Sequence, residues 1–334
     1  MRGRLHLVAA LGVSIALASN SAQAKDAPVF DPGVDASTLA SSFIKSEKLQ
    51  ALSGVKRVAI AQFRVEFAVE NDAKAQSSGT SGWTSSKSDI TLVGVTDEAR
   101  QAIADALYDK LTQELTAAGV EVVQYETVRD TPGYKSIGPV MHTRQEPIGT
   151  RTGKSIFVGA KGTPYYTTND DKHLSVGSML GGFSTTQPQN YEPQIAKALD
   201  ATVLRATLMV AFADQASSGG MFSNASSVKT AARLAIVPNL SQILFITPGA
   251  GKARVYLDQM VLMPGDAIEM KETTTTGEKA TQAIAGLISG GMRGERHYTA
   301  TTTNDAYSSV VQKYGLAVEG AMMNTVKAGV GAVP

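Results

Sequence analysis

Residues 55–70 read Val-Lys-Arg-Val-Ala-Ile-Ala-Gln-Phe-Arg-Val-Glu-Phe-Ala-Val-Glu, and their reading decides the fold. From Phe63 to Val69 every odd position is apolar, while Arg64, Glu66 and Glu70 take even ones. That period of two marks a strand with one face on a core. The run is longer than the usual strand of about five or six residues. Residues 71–88 are nearly all Ser, Gly, Thr, Ala and Lys around the sole tryptophan, Trp83, the composition of a flexible loop. Residues 89–95, Asp-Ile-Thr-Leu-Val-Gly-Val, then return as the partner strand of a hairpin.

Outward from this hairpin the pattern changes to that of a helix. Thr96 is an N-cap, Asp97 and Glu98 suit the positive end of the helix dipole, and Ile103, Leu107, Leu111 and Leu115 recur every four residues. Gly119 stands where a left-handed C-terminal cap belongs, so the spacing predicts a helix over 96–118 that lays one face on a sheet. Residues 120–125 follow as a strand. Upstream, residues 35–52 read as a helix capped by Asp35 or Ser37 and stopped by Gly54, after an extended linker over 25–34.

Residues 130–190 are rich in Gly, Pro and Thr, with strand hints only at 154–160 and 172–179. A structureless loop of that length does not suit a compact domain, so it is expected to be a β-hairpin or a partner-binding excursion. A short helix over 190–201 precedes a β-meander of strands at 203–213, 228–237, 240–247, 253–262 and 267–271. Two helices, 278–289 and 304–327, close the chain, with Met322 and Met323 in the core. The expected class is α+β or α/β: helices on a mixed, largely antiparallel sheet, with a C-terminal meander and helix. Residues 55–334 form a single domain with excursions at 71–88 and 130–190.

The first 24 residues read as a secretory leader. Arg2 and Arg4 precede the apolar run 5–18, and Ala22-Gln23-Ala24 is a small-x-small cleavage site. Without Arg2 and Arg4 the chain keeps 29 of its 31 basic residues against 30 acidic ones, a net charge of −1. That balance argues against a nucleic-acid binder. The chain has no cysteine, which excludes disulfides, thiolate metal sites, Cys nucleophiles and a lipid on a Cys. An exported protein of the periplasm or the periplasmic face of the outer membrane is expected, not a lipoprotein.

Motifs for chemistry are sparse. Pro147-Ile-Gly-Thr-Arg-Thr-Gly-Lys-Ser-Ile-Phe157 resembles a phosphate loop, but Gly149 and Gly153 are one residue too close, so a cationic turn leading into a strand is expected. His142, His173 and His297 lie in polar stretches without a second ligand at metal spacing and read as surface histidines. Asn169-Asp170-Asp171 reads as a solvated turn. No catalytic residue, cofactor site or metal site is expected, although a hydrolase based on His173 or His297 is a rival. Trp83, with Tyr165, Tyr166 and Phe183 in the second excursion, are the side chains expected to meet partners.

Taken together, the strand 58–63, the helix containing Ala-Leu-Tyr-Asp-Lys-Leu-Thr-Gln-Glu-Leu (106–115), the strand 120–125, Leu199-Asp-Ala-Thr-Val-Leu204, the polar turn 217–220 and the hairpin 232–262 resemble the curli-secretion-channel family of bacterial envelope proteins. The resemblance implies a noncatalytic protein that self-associates and helps pass or assemble an exported polymer at the outer membrane. Pore-type members are anchored through a Cys that this chain lacks, and they build a barrel from amphipathic hairpins. The corresponding segments, 154–179 and 209–234, carry Lys161, Asp170, Asp171, Lys229 and Arg233. A soluble periplasmic relative with protein partners is therefore expected over a pore. The apolar meander strands around 209–212 and 243–246 support an alternative, a periplasmic binder of a small molecule or lipid.

Overall fold

The computed structural model describes residues 29–79, 82–175, 187–214, 231–249, 251–279, 282 and 292–331. The expected leader over 1–24, the expected polar turn 217–220, Phe183 and most of the segment 278–289 lie outside them.

The alternating stretch 55–70 lies in the spine of the molecule. It forms β2 (Arg57–Gly79), flanked along one edge by β7 (Thr202–Asp214) and then β3 (Gly82–Val93), and along the other by β4 (Glu121–Val123) and then β6 (Gly153–Gly159). With β1 (Ile44–Glu47), β5 (Pro147–Thr150), β8 (Ala231–Ile236), β9 (Gln242–Ile246), β10 (Lys252–Leu257), β11 (Val261–Leu262), β12 (Glu269–Glu272) and β13 (Met292–Thr301) they make one open, mixed sheet whose main path runs β1-β10-β9-β7-β2-β3-β13-β12. The ladders β2–β4, β2–β7 and β3–β13 are parallel; the others described are antiparallel.

A bulge in β2 sets which side chains face which way. Its register with β7 slips between Ile60 and Gln62, and such an extra residue reverses the alternation of faces. Val58 and Ile60, then Phe63, Val65 and Phe67, therefore share one core. Ala59 and Ala61, then Arg64 and Glu66, look to the opposite face.

Onto the first face fold α1 (Ala36–Phe43), α2 (Asp97–Ala117) and α6 (Asn304–Val330). The Thr96 hydroxyl accepts from Ala99 N–H at 3.3 Å as expected of the cap, and Ile103, Leu107, Leu111 and Leu115 are buried. Truncating any of these leucines to Ala costs about 2–5 kcal/mol. Tyr307, Val311, Val318, Ala321 and Met322 of α6 fill the same core with Met323. The second face carries a smaller core beneath α3 (Tyr125–Asp130), α4 (Pro132–Ile137) and α5 (Glu192–Leu199).

Several expectations are corrected. The helix over 35–52 ends at Phe43, because residues 44–47 are captured as an edge strand by β10. Its N-terminal neighbour Phe30 is buried against Phe43, with ring centroids 5.0 Å apart. Residues 71–88 are not a loop. They form the ends of β2 and β3, paired from Glu70↔Thr91 to Gly79↔Gly82, with Trp83 opposite Ser78. β13, absent from the expectation because Met292-Arg293-Gly294 reads as a linker, covers the outer edge of β3 over ten residue pairs. Pairing of β3 on both edges, with β2 and β13, overrides a composition poor in strand formers. Residues 120–125 are strand only over 121–123, and α3 takes over at Tyr125.

Two glycines are fixed by close backbone approach. Gly94, at φ +94°, turns β3 into α2, and a Cβ there would lie 1.9 Å from the Thr302 carbonyl oxygen. Gly153, at φ +138°, makes the tight turn of the β5–β6 hairpin, and a Cβ would meet the Glu70 carbonyl oxygen at 1.9 Å. The phosphate-loop look-alike is thus a hairpin, and its Lys154 reaches Glu70 at 2.6 Å.

Candidate protein-interaction site

The excursion 130–190 is used mainly on the protein itself. After the β5–β6 hairpin, residues 163–175 lie across the second face of the sheet and cover the charges that β2 and β7 present there. Arg64 is ion-paired with Asp171 and donates to the Tyr166 carbonyl at 2.8 Å. Arg205 donates to Glu192 Oε1 at 3.0 Å and to Asp170 Oδ2 at 2.5 Å. The Tyr166 hydroxyl also donates to Glu192, at 3.0 Å, and the Gln62 side chain accepts from Tyr166 N–H at 2.7 Å. Burial alone would raise the Asp171 carboxyl, but the Arg64 guanidinium and the Thr168 N–H hold it below the usual carboxylate range. Burial likewise works against the charge on Arg205, and Glu192 together with the acids around it outweighs that.

This network corrects three expectations. Asp171 of the presumed solvated turn is buried and paired. His173 is not on the surface: its Nε2 lies 2.9 and 3.1 Å from the two oxygens of Glu66, which is fully buried. Tyr165 and Tyr166 are not offered to partners on the outer surface. Tyr165 is sandwiched between His142 and Phe157, and burial raises its phenol to about 12; burial and the neighbouring Glu192 hold the Tyr166 phenol well above its ordinary value. Only His142 of the three histidines is exposed. His297 stands beside Asp89, its Nδ1 3.4 Å from Oδ2. Sequence spacing could not show these partners, since strand pairing and the fold-back of 163–175 bring them in.

On the side of β2 that carries β4 and β6, a cleft of about 890 Å³ opens. β4 bonds to β2 alone, so its outer edge is unpaired among the described residues. Glu121 N–H donates to the Lys56 carbonyl at 2.8 Å. The alternation along a strand therefore turns the Val122 N–H and C=O away from β2, toward the cleft. One wall is the second half of α2, with Tyr108, Thr112 and Thr116; the others are α3 with Arg129 and the turn 161–164. The walls are braced: Lys161 N–H donates to Asp105 at 2.5 Å, and Lys161 Nζ reaches Asp109 at 2.8 Å. Burial, then Asp109, raises the Tyr108 phenol, which stays a neutral donor at the cleft wall.

The two ends of the main sheet path differ from β4. β1 (Ile-Lys-Ser-Glu) and β12 (Glu-Met-Lys-Glu) are short and charged, which guards an edge against adding strands. The unguarded edge went unrecognised in the sequence because Val120 to Val123 reads the same in an edge strand and a central one.

A second cavity lies between the meander and the helices, lined by Phe63, Leu107, Leu208, Ile243, Met322 and Glu319. Its volume of about 20 Å³ has room for a water but not for a lipid chain. No described helix is long and apolar enough to cross a membrane. In comparison with known proteins, the chain matches no family model, no curated protein and no solved structure.

Proposed function

We propose that the chain is a noncatalytic protein of the bacterial cell envelope, exported to the periplasm or its outer-membrane face, where it serves secretion or assembly by binding protein partners and by self-association. The observation that carries this reading is the free edge of β4 at the cleft floor. A backbone donor and acceptor on Val122 face open space between rigid walls, and an extended segment of another polypeptide satisfies such groups by adding a strand. Tyr108 and Tyr125 supply amphipathic surface on either side, as protein interfaces favour.

The test is Val122→Pro. Proline removes the N–H that faces the cleft while sparing the Glu121 bond to β2, a placement that edge strands accept. Photocrosslinkers placed at Thr112 and Arg129 in envelope extracts should capture a protein partner or a second copy with the parent chain and lose it with Val122→Pro at unchanged far-UV circular dichroism. Capture that survives Val122→Pro in a folded variant excludes strand addition at β4, and a monomer with no adducts at either position excludes the site.

A further inference from the structure

The parallel pairing of β13 with β3 sets His297 directly opposite Asp89, and the two-residue period puts Glu295 on the same side of the sheet. One donor atom from each of Asp89, Glu295 and His297 lies within 4.8 Å of the others, and all three residues are half-buried. We propose that these three side chains bind a divalent first-row cation, clamping β13 to β3.

The donor set is that of a borderline-soft cation: one imidazole nitrogen and two carboxylate oxygens, at distances from the ion of about 2.0–2.2 Å for zinc. Ligand atoms around such an ion are separated by no more than about 4.4 Å, twice that bond length, so small side-chain rotations close the present spread.

Two further features point the same way. The imidazole has a carboxylate on each nitrogen, Asp89 Oδ2 at 3.4 Å from Nδ1 and Glu278 Oε1 at 3.9 Å from Nε2. A ligating histidine usually needs such a partner on its other nitrogen to fix tautomer and ring orientation. Glu278 is itself held, its Oε2 accepting from Thr275 N–H and Oγ1 at 2.7 and 2.8 Å. The sheet also aligns Asp72 of β2 with Asp89, which continues the acidic row across three strands.

The backbone at the site is preorganised. His297 N–H donates to Thr274 Oγ1 at 2.9 Å, its carbonyl accepts from Thr273 N–H at 2.8 Å, and Gln282 brackets the Glu295 amide and carbonyl at 2.9 and 2.8 Å.

Zinc titrated calorimetrically into the untagged, EDTA-stripped full chain is the direct test. The expected result is one equivalent bound, with a zinc-dependent rise in melting temperature. His297→Ala should abolish both effects, and Glu278→Gln should weaken binding by about 10–100-fold without abolishing it. Asp89→Asn, which keeps shape and strand pairing, serves if His297→Ala does not fold, and should also lose the bound equivalent. No binding by the parent chain, or equal affinity in folded His297→Ala or Asp89→Asn, overturns the site.

Discussion

The two faces of the central sheet handle buried charge in opposite ways. Beneath residues 163–175, Arg64 and Arg205 are matched by Asp171, Glu192 and Asp170, and Tyr166 and Gln62 take up further bonds. Beneath α2 and α6, a single acid among the described residues enters an apolar core. Glu319 is 6% exposed, and neither of its carboxyl oxygens has a partner among the described residues. Burial drives its pKa well above the ordinary value, more than Lys110 pulls it back, so it stays protonated where a surface glutamate is ionised. Charge is therefore kept inside where the chain supplies counter-charge, and elsewhere it is neutralised by a proton.

The largest effect should come from unbalancing the paired face. Arg205→Met leaves Glu192 buried with only the Tyr166 hydroxyl, at a cost of about 3–5 kcal/mol read as a lowered urea midpoint. Adding Glu192→Leu to that variant should recover much of the loss, since an apolar pair replaces an ion pair at little cost. If the double variant is no more stable than the single one, the network is more than charge balance.

On the other face the sign reverses. Glu319→Leu should raise stability by about 1–3 kcal/mol, the range expected for removing an unbonded buried polar group. The pH dependence separates the two faces further. The folded-state pKa of Glu319 is raised, so at pH values above its unfolded one the native state keeps a proton that the unfolded state has released. Stability then falls by up to about 1.4 kcal/mol per pH unit as pH rises, until the folded value is passed. For Asp171 the folded pKa is lowered, so its stabilisation is present above the unfolded value and is lost as pH falls through the folded one. Unfolding curves between pH 5 and 8 should therefore flatten in Glu319→Leu and keep their slope in Asp171→Asn. A parallel profile for Glu319→Leu and the parent chain would show that Glu319 has a partner.

How much of this was legible depended on how local the determining interactions are. Helix α2 could be read because cap, dipole and apolar stripe all lie within residues 96–119, and the structure has Thr96 and Gly119 in those roles. The strand 55–70 could be read from its alternation, but not the reversal at Ile60 to Gln62, since a bulge leaves no mark once small alanines occupy both sides. Residues 71–88 misled because their strand state rests on β13, more than 200 positions away. The buried network was hidden similarly: Arg64 and Arg205 are 141 residues apart, and Asn169-Asp170-Asp171 has the composition of a surface turn. One cue was present. Opposite charges alternating along one face of a strand that leads into a core imply a partner for that face, and Arg64 with Glu66 had that form.

Smaller changes sharpen the contrast. Tyr166→Phe deletes one donor to Glu192 but leaves Arg205 in place, so the loss should be about 1.5 kcal/mol, the lower end for a bond to a charged group. The smallest effect should come from the same strand where it leaves the core. Lys154 and Glu70 form an ion pair at 2.6 Å, as short as many buried ones, yet the lysine side chain is 51% exposed. Water already solvates both partners, and ordering the lysine opposes the attraction, so Lys154→Ala should cost at most about 1 kcal/mol. Salt should decide the matter: 1 M NaCl, with a screening length of about 3 Å, should erase the Lys154→Ala difference and leave the Arg205→Met difference nearly whole. Equal salt sensitivity at the two sites would mean that water reaches Arg205, and the distinction between the faces would then rest on geometry rather than on burial.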